Sequence, residues 1–151
     1  MSKRLNALLA ANGALVLLAG FAAGFPYGSA VVASLDPAAP ATLAEPLRAW
    51  HMAHMEGVLN GILMLAAAGA AAHLPLTAAD QKVVFWGLVV AGWTNVAASS
   101  LSAMTGGRGT GFTGLDWNTL NFLLFMAGIV GAVAAVIVLA LAGLRSARQQ
   151  A

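Results

Sequence analysis

The stretch AWHMAHMEGVLNGILML, residues 49–65, decides the fold class because it sets polar side chains at the start of a long apolar run. A helix that spans a bilayer needs roughly 20 mainly apolar residues, and the apolar window that begins here extends from 50 to 74. Ionisable side chains inside a bilayer cost at least ~2.5 to 3.5 kcal/mol at the helix centre. Such residues usually face the protein interior and contribute to function. The stretch therefore predicts a membrane helix that carries a polar site.

The composition of the whole chain extends this prediction. The 151 residues are 60% hydrophobic and 8% charged, and the mean hydropathy is +0.85, which is far above the values of soluble domains. Four apolar windows run approximately over 5–25, 50–74, 83–102 and 120–144. The first window is longer than the apolar part of a secretory signal, so we interpret it as a retained helix. We predict an all-α integral membrane protein, a bundle of four transmembrane helices that forms a single domain over 1–151.

Several classes of function are disfavoured by what the chain contains. Cysteine is absent, which excludes disulfides, iron–sulfur clusters and thiolate-bound metals. Seven basic residues and a net charge of +2 are too little for a nucleic-acid surface, so we expect no nucleic-acid partner. The segment TGGRGTG lacks the Lys-Ser/Thr ending of a phosphate-binding loop. The serines of the third window have no base on their own helix, which makes a hydrolase a poor candidate.

The basic residues predict the orientation of the chain in its membrane. Five of the seven flank one side of the four windows: Lys3, Arg4, Lys82, Arg145 and Arg148. Because cytoplasmic loops carry the excess of Lys and Arg, we expect a multi-pass protein with both termini in the cytoplasm.

Histidine is the residue type that points most directly to a cofactor. His51 and His54 are three residues apart, so they share one face of a helix and cannot take the two opposite axial positions of one haem. His73 lies about 28 Å further along a helix that rises about 1.5 Å per residue. A single axial histidine with an open sixth position remains possible for His54. The alternative is a histidine at the membrane interface that bonds a backbone carbonyl, and for His51 an interfacial role is favoured.

Two asparagines and a glutamate complete the polar set in the membrane windows. Asn60 and Asn95 each have two interpretations: the rim of a cavity, or a hydrogen bond that joins two helices. We expect Glu56 to accept a bond from a donor such as Arg48 or His51.

Three segments of the chain resemble the styrene oxide isomerase family, a group of small four-helix bacterial membrane enzymes. They are AHMEGVLNG at 53–61, GWTNV at 92–96 and GRGTGF at 107–112. The resemblance implies a homotrimer in the bacterial inner membrane, with haem b near the subunit interfaces and its ferric iron as a Lewis acid. It also implies a reaction, in which a hydrophobic aryl epoxide is converted to an aldehyde by ring opening and a hydride shift, without net electrons or water.

The resemblance assigns roles residue by residue. His54 matches the axial ligand of the haem iron, and Asn60 matches the asparagine that contacts the substrate oxygen. Asn95 and Trp93 match the asparagine and tryptophan of the family segment Gly-Trp-Ser-Asn-Val. The expected cofactor-binding residues are therefore His54, as metal ligand, and Trp93.

Two positions differ from the family pattern. Ser99 stands where the family has a tyrosine, and Ala91 stands where it has an aspartate. We include Ser99 with Asn60 and Asn95 as a candidate catalytic residue, although its side chain is too short to reach where a tyrosine hydroxyl would lie. Two alternatives to the isomerase remain: a non-catalytic membrane haem protein, such as a gas or redox sensor or an electron carrier, and a structural membrane subunit without a cofactor.

Overall fold

The computed structural model describes residues 1–150 and consists of four long helices joined by short connections. The elements are α1 (Lys3–Ser34), a 3-10 turn (Ala41–Leu43), α2 (Ala44–His73), α3 (Ala78–Thr105) and α4 (Trp117–Gln150). Each of the four helices is long and apolar enough to cross a membrane. The prediction of an all-α membrane protein with four transmembrane helices is confirmed.

The first helix is longer than the sequence predicts. We expect it to end at the segment GFPYGS, but α1 continues through Pro26 to Ser34, so this prediction is wrong. A proline removes one backbone donor, and membrane helices tolerate such an interruption where neighbouring groups satisfy the freed carbonyl. As a result Tyr27, expected beyond the helix, lies on a helical face that packs against α2.

The start of α3 follows its sequence signal. The Thr77 hydroxyl accepts the backbone N–H of Asp80 at 3.1 Å, and the Asp80 carboxylate accepts the N–H of Thr77 at 3.1 Å. This reciprocal pair is a capping box, which satisfies two donors that the helix itself leaves free. From the sequence, in which Thr77 and Asp80 lie in the connection HLPLTAADQK at 73–82, we predict that one of these two residues caps the helix, and the capping box confirms this prediction.

The helices pack through small residues at two close crossings. Between α1 and α2, a Cβ atom on Gly20 would lie 2.6 Å from the backbone nitrogen of Val58. Between α3 and α4, a Cβ atom on Gly131 would lie 2.6 Å from the carbonyl oxygen of Gly87. Neither position has room for a side chain, as expected where backbones approach closely in a membrane bundle. The core between the helices includes Leu9, Val16, Met64, Val84 and Leu88, each at most 1% exposed.

Polar contacts identify which helix ends lie together. The N-terminal ammonium of Met1 donates to the carbonyl of Ala71 at 2.8 Å, and Arg145 donates to Asp80 at 3.1 Å. The start of α1, the α2–α3 connection and the end of α4 therefore share one end of the bundle. The opposite end carries the α3–α4 loop, where Arg108 pairs with Glu45 at the start of α2.

The α3–α4 loop is shaped by glycines and by asparagines of α4. Three of its glycines have positive φ: Gly106 (77°), Gly109 (66°) and Gly114 (125°). Asn118 accepts the backbone N–H of Gly109 at 2.8 Å, and Asn121 donates to the carbonyl of Gly107 at 2.9 Å. The glycines thus let the loop turn and lie closely over the first turns of α4, as their number in the sequence predicts.

Candidate functional site

His54 lies on the face of α2 that packs against α1. Its Nδ1 atom is 2.9 Å from the carbonyl oxygen of Gly20. Because a carbonyl can only accept a hydrogen bond, Nδ1 carries the proton in this contact. A neutral imidazole then keeps its lone pair on Nε2, a nitrogen that proteins use to bind metals. The contact with Gly20 therefore leaves one ring nitrogen of His54 free to act as a ligand.

Two further residues of α1 contact the imidazole of His54. A Cβ atom on Gly24 would lie 3.1 Å from His54 Nδ1, so the absence of a side chain there makes room for the ring. Tyr27 stacks on His54 with ring centroids 5.9 Å apart and planes inclined by 19°. Gly20, Gly24 and Tyr27 follow one another at intervals of four and three residues, which places them on one face of α1. Tyr27 is not among the residues predicted from the sequence, because the predicted helix ends before it.

The other two histidines have different surroundings. His51 is exposed, and its ring centroid lies 5.0 Å from that of Tyr27 at an inclination of 38°. His73 is exposed and ends α2 at the opposite end of the bundle. Of the three histidines, His54 is the one that pairs partial burial with a backbone partner on another helix.

Asn60 lies on a different face of α2 and contacts both its own helix and α3. Its amide nitrogen donates to the backbone carbonyl of Glu56 at 2.9 Å and to Oε2 of the Glu56 side chain at 2.8 Å. Its amide oxygen accepts a bond from Nδ2 of Asn95 at 3.4 Å. The prediction that Glu56 pairs with Arg48 or His51 is wrong, since Arg48 instead donates to Glu45.

The three side chains form a directed series of hydrogen bonds that runs from Asn95 through Asn60 to Glu56. A carboxylate accepts, so Asn60 must present its nitrogen to Glu56 and its oxygen to Asn95. Both hydrogens of the Asn60 amide are engaged in this arrangement. Asn95 ends the series, and its Oδ1 atom is buried with no hydrogen-bond partner among residues 1–150.

Ser99 and Trp93, the remaining predicted site residues, bond within the bundle. Ser99 is 1% exposed, and its hydroxyl donates to the carbonyl of Asn95 at 2.8 Å. Trp93 donates from its indole nitrogen to Oδ1 of Asn12 at 3.0 Å and so joins α3 to α1. Both side chains therefore have structural contacts, and neither shares a hydrogen bond with His54.

The candidate residues thus fall into two groups on different faces of α2. His54 faces α1, together with Gly20, Gly24 and Tyr27. Asn60 faces α3, where Asn95 and Ser99 lie. Within residues 1–150, no three His, Asp or Glu side chains come together as a set of metal ligands. A metal bound through His54 would therefore take its other ligands from a prosthetic group or from outside this subunit.

A cavity of about 640 Å³ opens beside the first turns of α4 and contains none of the predicted site residues. Its lining is mainly apolar and includes Leu115, Trp117 and Leu120, with Asp116 as the one charged group in the lining. The backbone N–H of Thr119 and the hydroxyl of Thr113 hold the pKa of Asp116 below its usual range. The Asp116 carboxylate accepts the backbone N–H of Thr119 at 2.8 Å and so caps the N-terminus of α4.

Comparison with known proteins gives one match that covers most of the chain. A family model described as styrene oxide isomerase matches residues 5–144, a range that includes all of the candidate site residues. A search of curated proteins found no match.

Proposed function

Because this chain belongs to the styrene oxide isomerase family, we propose that it is a membrane isomerase that uses haem b to convert a hydrophobic aryl epoxide to an aldehyde. Family membership indicates an isomerase that acts on an epoxide. The observation that supports the haem is the environment of His54. Its Nδ1 donates to a backbone carbonyl, which is the arrangement that fixes the tautomer and orientation of metal-ligating histidines.

In this proposal His54 holds the haem through Nε2. When bound there, a haem would supply Lewis acidity toward the epoxide oxygen, whose bond to the benzylic carbon must break in this reaction. Opening of the epoxide places positive charge on the benzylic carbon. The hydride shift that then completes the reaction needs no water, and water would attack this carbon to give a diol. The apolar lining of a membrane bundle suits this requirement.

Asn60 and Asn95 are the proposed donors to the epoxide oxygen as it gains negative charge. The structure sets a condition on Asn60, because both of its amide hydrogens already bond to Glu56. A bond from Asn60 to the substrate would therefore replace its bond to the Glu56 side chain. Asn95 has a hydrogen to spare, since among residues 1–150 its amide nitrogen donates only to Asn60, at 3.4 Å.

We further propose that the protein is a homotrimer. His54 and Asn60 lie on different faces of α2, so a site that used both would draw on surfaces on either side of this helix. The mass of the protein–detergent complex tests this proposal, and a monomer that retains haem would contradict it.

The bacterial inner membrane, with both termini in the cytoplasm, is the proposed location. The contacts of Met1 with Ala71 and of Arg145 with Asp80 place the basic flanks of α1, α3 and α4 at one end of the bundle. The positive-inside bias assigns this end to the cytoplasm.

The experiment that tests the proposed function is an assay of the purified protein against a panel of aryl and alkyl epoxides. We expect a Soret band from the protein in detergent and aldehyde, without diol, from at least one aryl epoxide. Protein without a Soret band would contradict the haem. Protein with the band that forms no aldehyde from any epoxide would contradict the isomerase.

A second candidate, a non-catalytic haem protein such as a sensor or electron carrier, is favoured by one specific observation. The hydroxyl of Ser99 and both amide hydrogens of Asn60 are engaged inside the bundle, which leaves these two side chains without a free donor for a substrate. Aldehyde formation in the same assay would exclude this candidate.

A further inference from the structure

The hydrogen bond between His54 Nδ1 and the carbonyl of Gly20 sets the tautomer and the approximate orientation of the imidazole. A large rotation about χ2 would carry Nδ1 away from this carbonyl and break the bond. Small rotations keep it, because the χ2 wells of histidine are broad and a hydrogen bond tolerates a range of angles. These rotations would still move Nε2, the nitrogen that the proposed function assigns to iron, so a second contact on the ring would hold Nε2 more precisely.

Tyr27 is placed to do this. Its ring is nearly parallel to that of His54, with planes inclined by 19° and centroids 5.9 Å apart. Gly24 bounds the imidazole near Nδ1, where a Cβ atom would come within 3.1 Å. Gly20 thus bonds the imidazole, Gly24 lies close to its Nδ1 atom, and Tyr27 holds a nearly parallel ring beside it. All three residues come from the same side of α1.

Tyr27 lies close to both histidines at this end of α2, and the bond to Gly20 distinguishes between them. His51 and His54 are three residues apart on one helical face, so both imidazoles could approach one cofactor. The Tyr27 ring contacts both, with centroids 5.0 Å from His51 and 5.9 Å from His54. His54 has in addition its bond to Gly20, whereas His51 is exposed.

We propose that Tyr27 is a positioning residue that holds the imidazole of His54 in the orientation required of an axial ligand. The proposal rests on the proposed role of His54 as the haem ligand. It assigns the effect to the aromatic ring of Tyr27, since the phenol hydroxyl makes no hydrogen bond within residues 1–150. Replacement by Phe should therefore preserve the effect, and replacement by an aliphatic residue should remove it.

The test compares haem binding by the full-length Tyr27→Leu and Tyr27→Phe variants in detergent, with haem itself as the titrant. Phe25→Leu is the matched control, because Phe25 lies two residues away on α1 and is 79% exposed. For Tyr27→Leu we expect roughly threefold to tenfold weaker haem binding, the range that corresponds to the loss of one aromatic pair. Tyr27→Phe and Phe25→Leu should remain within about twofold of the wild type.

A spectroscopic readout separates positioning from general stability. In the ferrous protein, the iron–histidine stretching band reports on the orientation and hydrogen bonding of the axial imidazole. We expect this band to shift or broaden in Tyr27→Leu and to match the wild type in Tyr27→Phe. Tyr27→Met also removes the aromatic ring, and it should move the band in the same way. It keeps the test decisive if Tyr27→Leu does not fold.

The outcomes distinguish this proposal from the one it rests on. His54→Ala protein that retains haem would overturn the ligand assignment itself. If His54→Ala loses haem but Tyr27→Leu keeps both its affinity and its band, Tyr27 has no positioning role. A Tyr27→Phe variant that behaves like Tyr27→Leu would also overturn the proposal, because the hydroxyl would then carry the effect.

Discussion

At the scale of single residues, Asn60 shows how a buried amide can be constrained before any ligand binds. It is 8% exposed, and its bonds to Glu56 and Asn95 fix which end of the amide faces each neighbour. Catalysis benefits from a donor that is worth more in the transition state than in the ground state. Asn60 meets this condition if the growing charge on the epoxide oxygen competes with the carboxylate of Glu56 for its hydrogen.

We predict that Asn60→Ala retains haem but loses most of its aldehyde formation. Loss of one donor to a developing oxyanion typically lowers turnover by about 10² to 10³. The measurement is the rate of aldehyde formation divided by the haem content from the Soret band. If Asn60 only joins helices, the variant will instead lose stability and haem, and its turnover per bound haem will stay intact.

The sequence predicts part of this site and misses the rest for identifiable reasons. The interval of four residues between Glu56 and Asn60 places them on one helical face, so their hydrogen bond could have been predicted from the sequence. The predicted donors to Glu56, Arg48 and His51, are not the ones that the structure shows. A bond from His54 to a backbone carbonyl is part of one of the two interpretations that the sequence leaves open, and the structure contains such a bond. Its partner, Gly20, lies 34 positions away and has no signature in the sequence.

At the scale of helices, four apolar windows predict four spans, but the helix ends depend on contacts that hydropathy does not reveal. Pro26 does remove one backbone donor, as its sequence position indicates, but it does not end α1. That single misplacement also concealed Tyr27. The start of α3 at Thr77 could be predicted because a capping box is a local pattern of four residues.

We predict that Gly20→Ala destabilises the protein, whereas Gly143→Ala does not. The added Cβ at Gly20 would lie 2.6 Å from the backbone of Val58, and overpacking of this kind typically costs about 1 to 3 kcal/mol. At Gly143 an added Cβ has no neighbour within 4 Å, and alanine is the better helix former. Thermal unfolding in one detergent compares the two variants. Equal midpoints would show that the α1–α2 crossing is not close-packed.

Asp116 makes the cap of α4 sensitive to pH. Because its pKa is lowered in the folded protein, its contribution to stability is complete above the unfolded value of about 3.9 and is lost as the pH falls toward the folded value. Asparagine also caps helices but does not titrate. As the pH is lowered from about 5 to about 3, the unfolding temperature of Asp116→Asn should therefore fall less than that of the wild type. Parallel pH curves would contradict this role for the carboxylate.

At the scale of the whole molecule, the ends of the bundle differ in charge. One end carries the basic flanks of α1, α3 and α4, and the other carries Arg48 and Arg108 beside Glu45. The proposed site lies toward the second end, where α2 begins. The proposed orientation would therefore place His54 nearer the outer face of the inner membrane.

The absence of cysteine allows a direct test of this orientation. We predict that a membrane-impermeant maleimide labels Thr110→Cys in intact bacterial cells and labels Ala147→Cys only after the cells are broken. Thr110 and Ala147 are both exposed and lie at opposite ends of the bundle. The reverse pattern of labelling would contradict cytoplasmic termini.

The central claim is that His54 holds the haem on which the isomerase depends, and its most direct test is the haem-to-protein ratio of histidine variants purified from haem-replete cells. His54→Ala should lose haem, because it removes the nitrogen that the bond to Gly20 leaves free for iron. His51→Ala and His73→Ala should largely retain haem, since both residues are exposed and His73 lies at the far end of α2. A His54→Ala protein with the haem content of the wild type would contradict the claim.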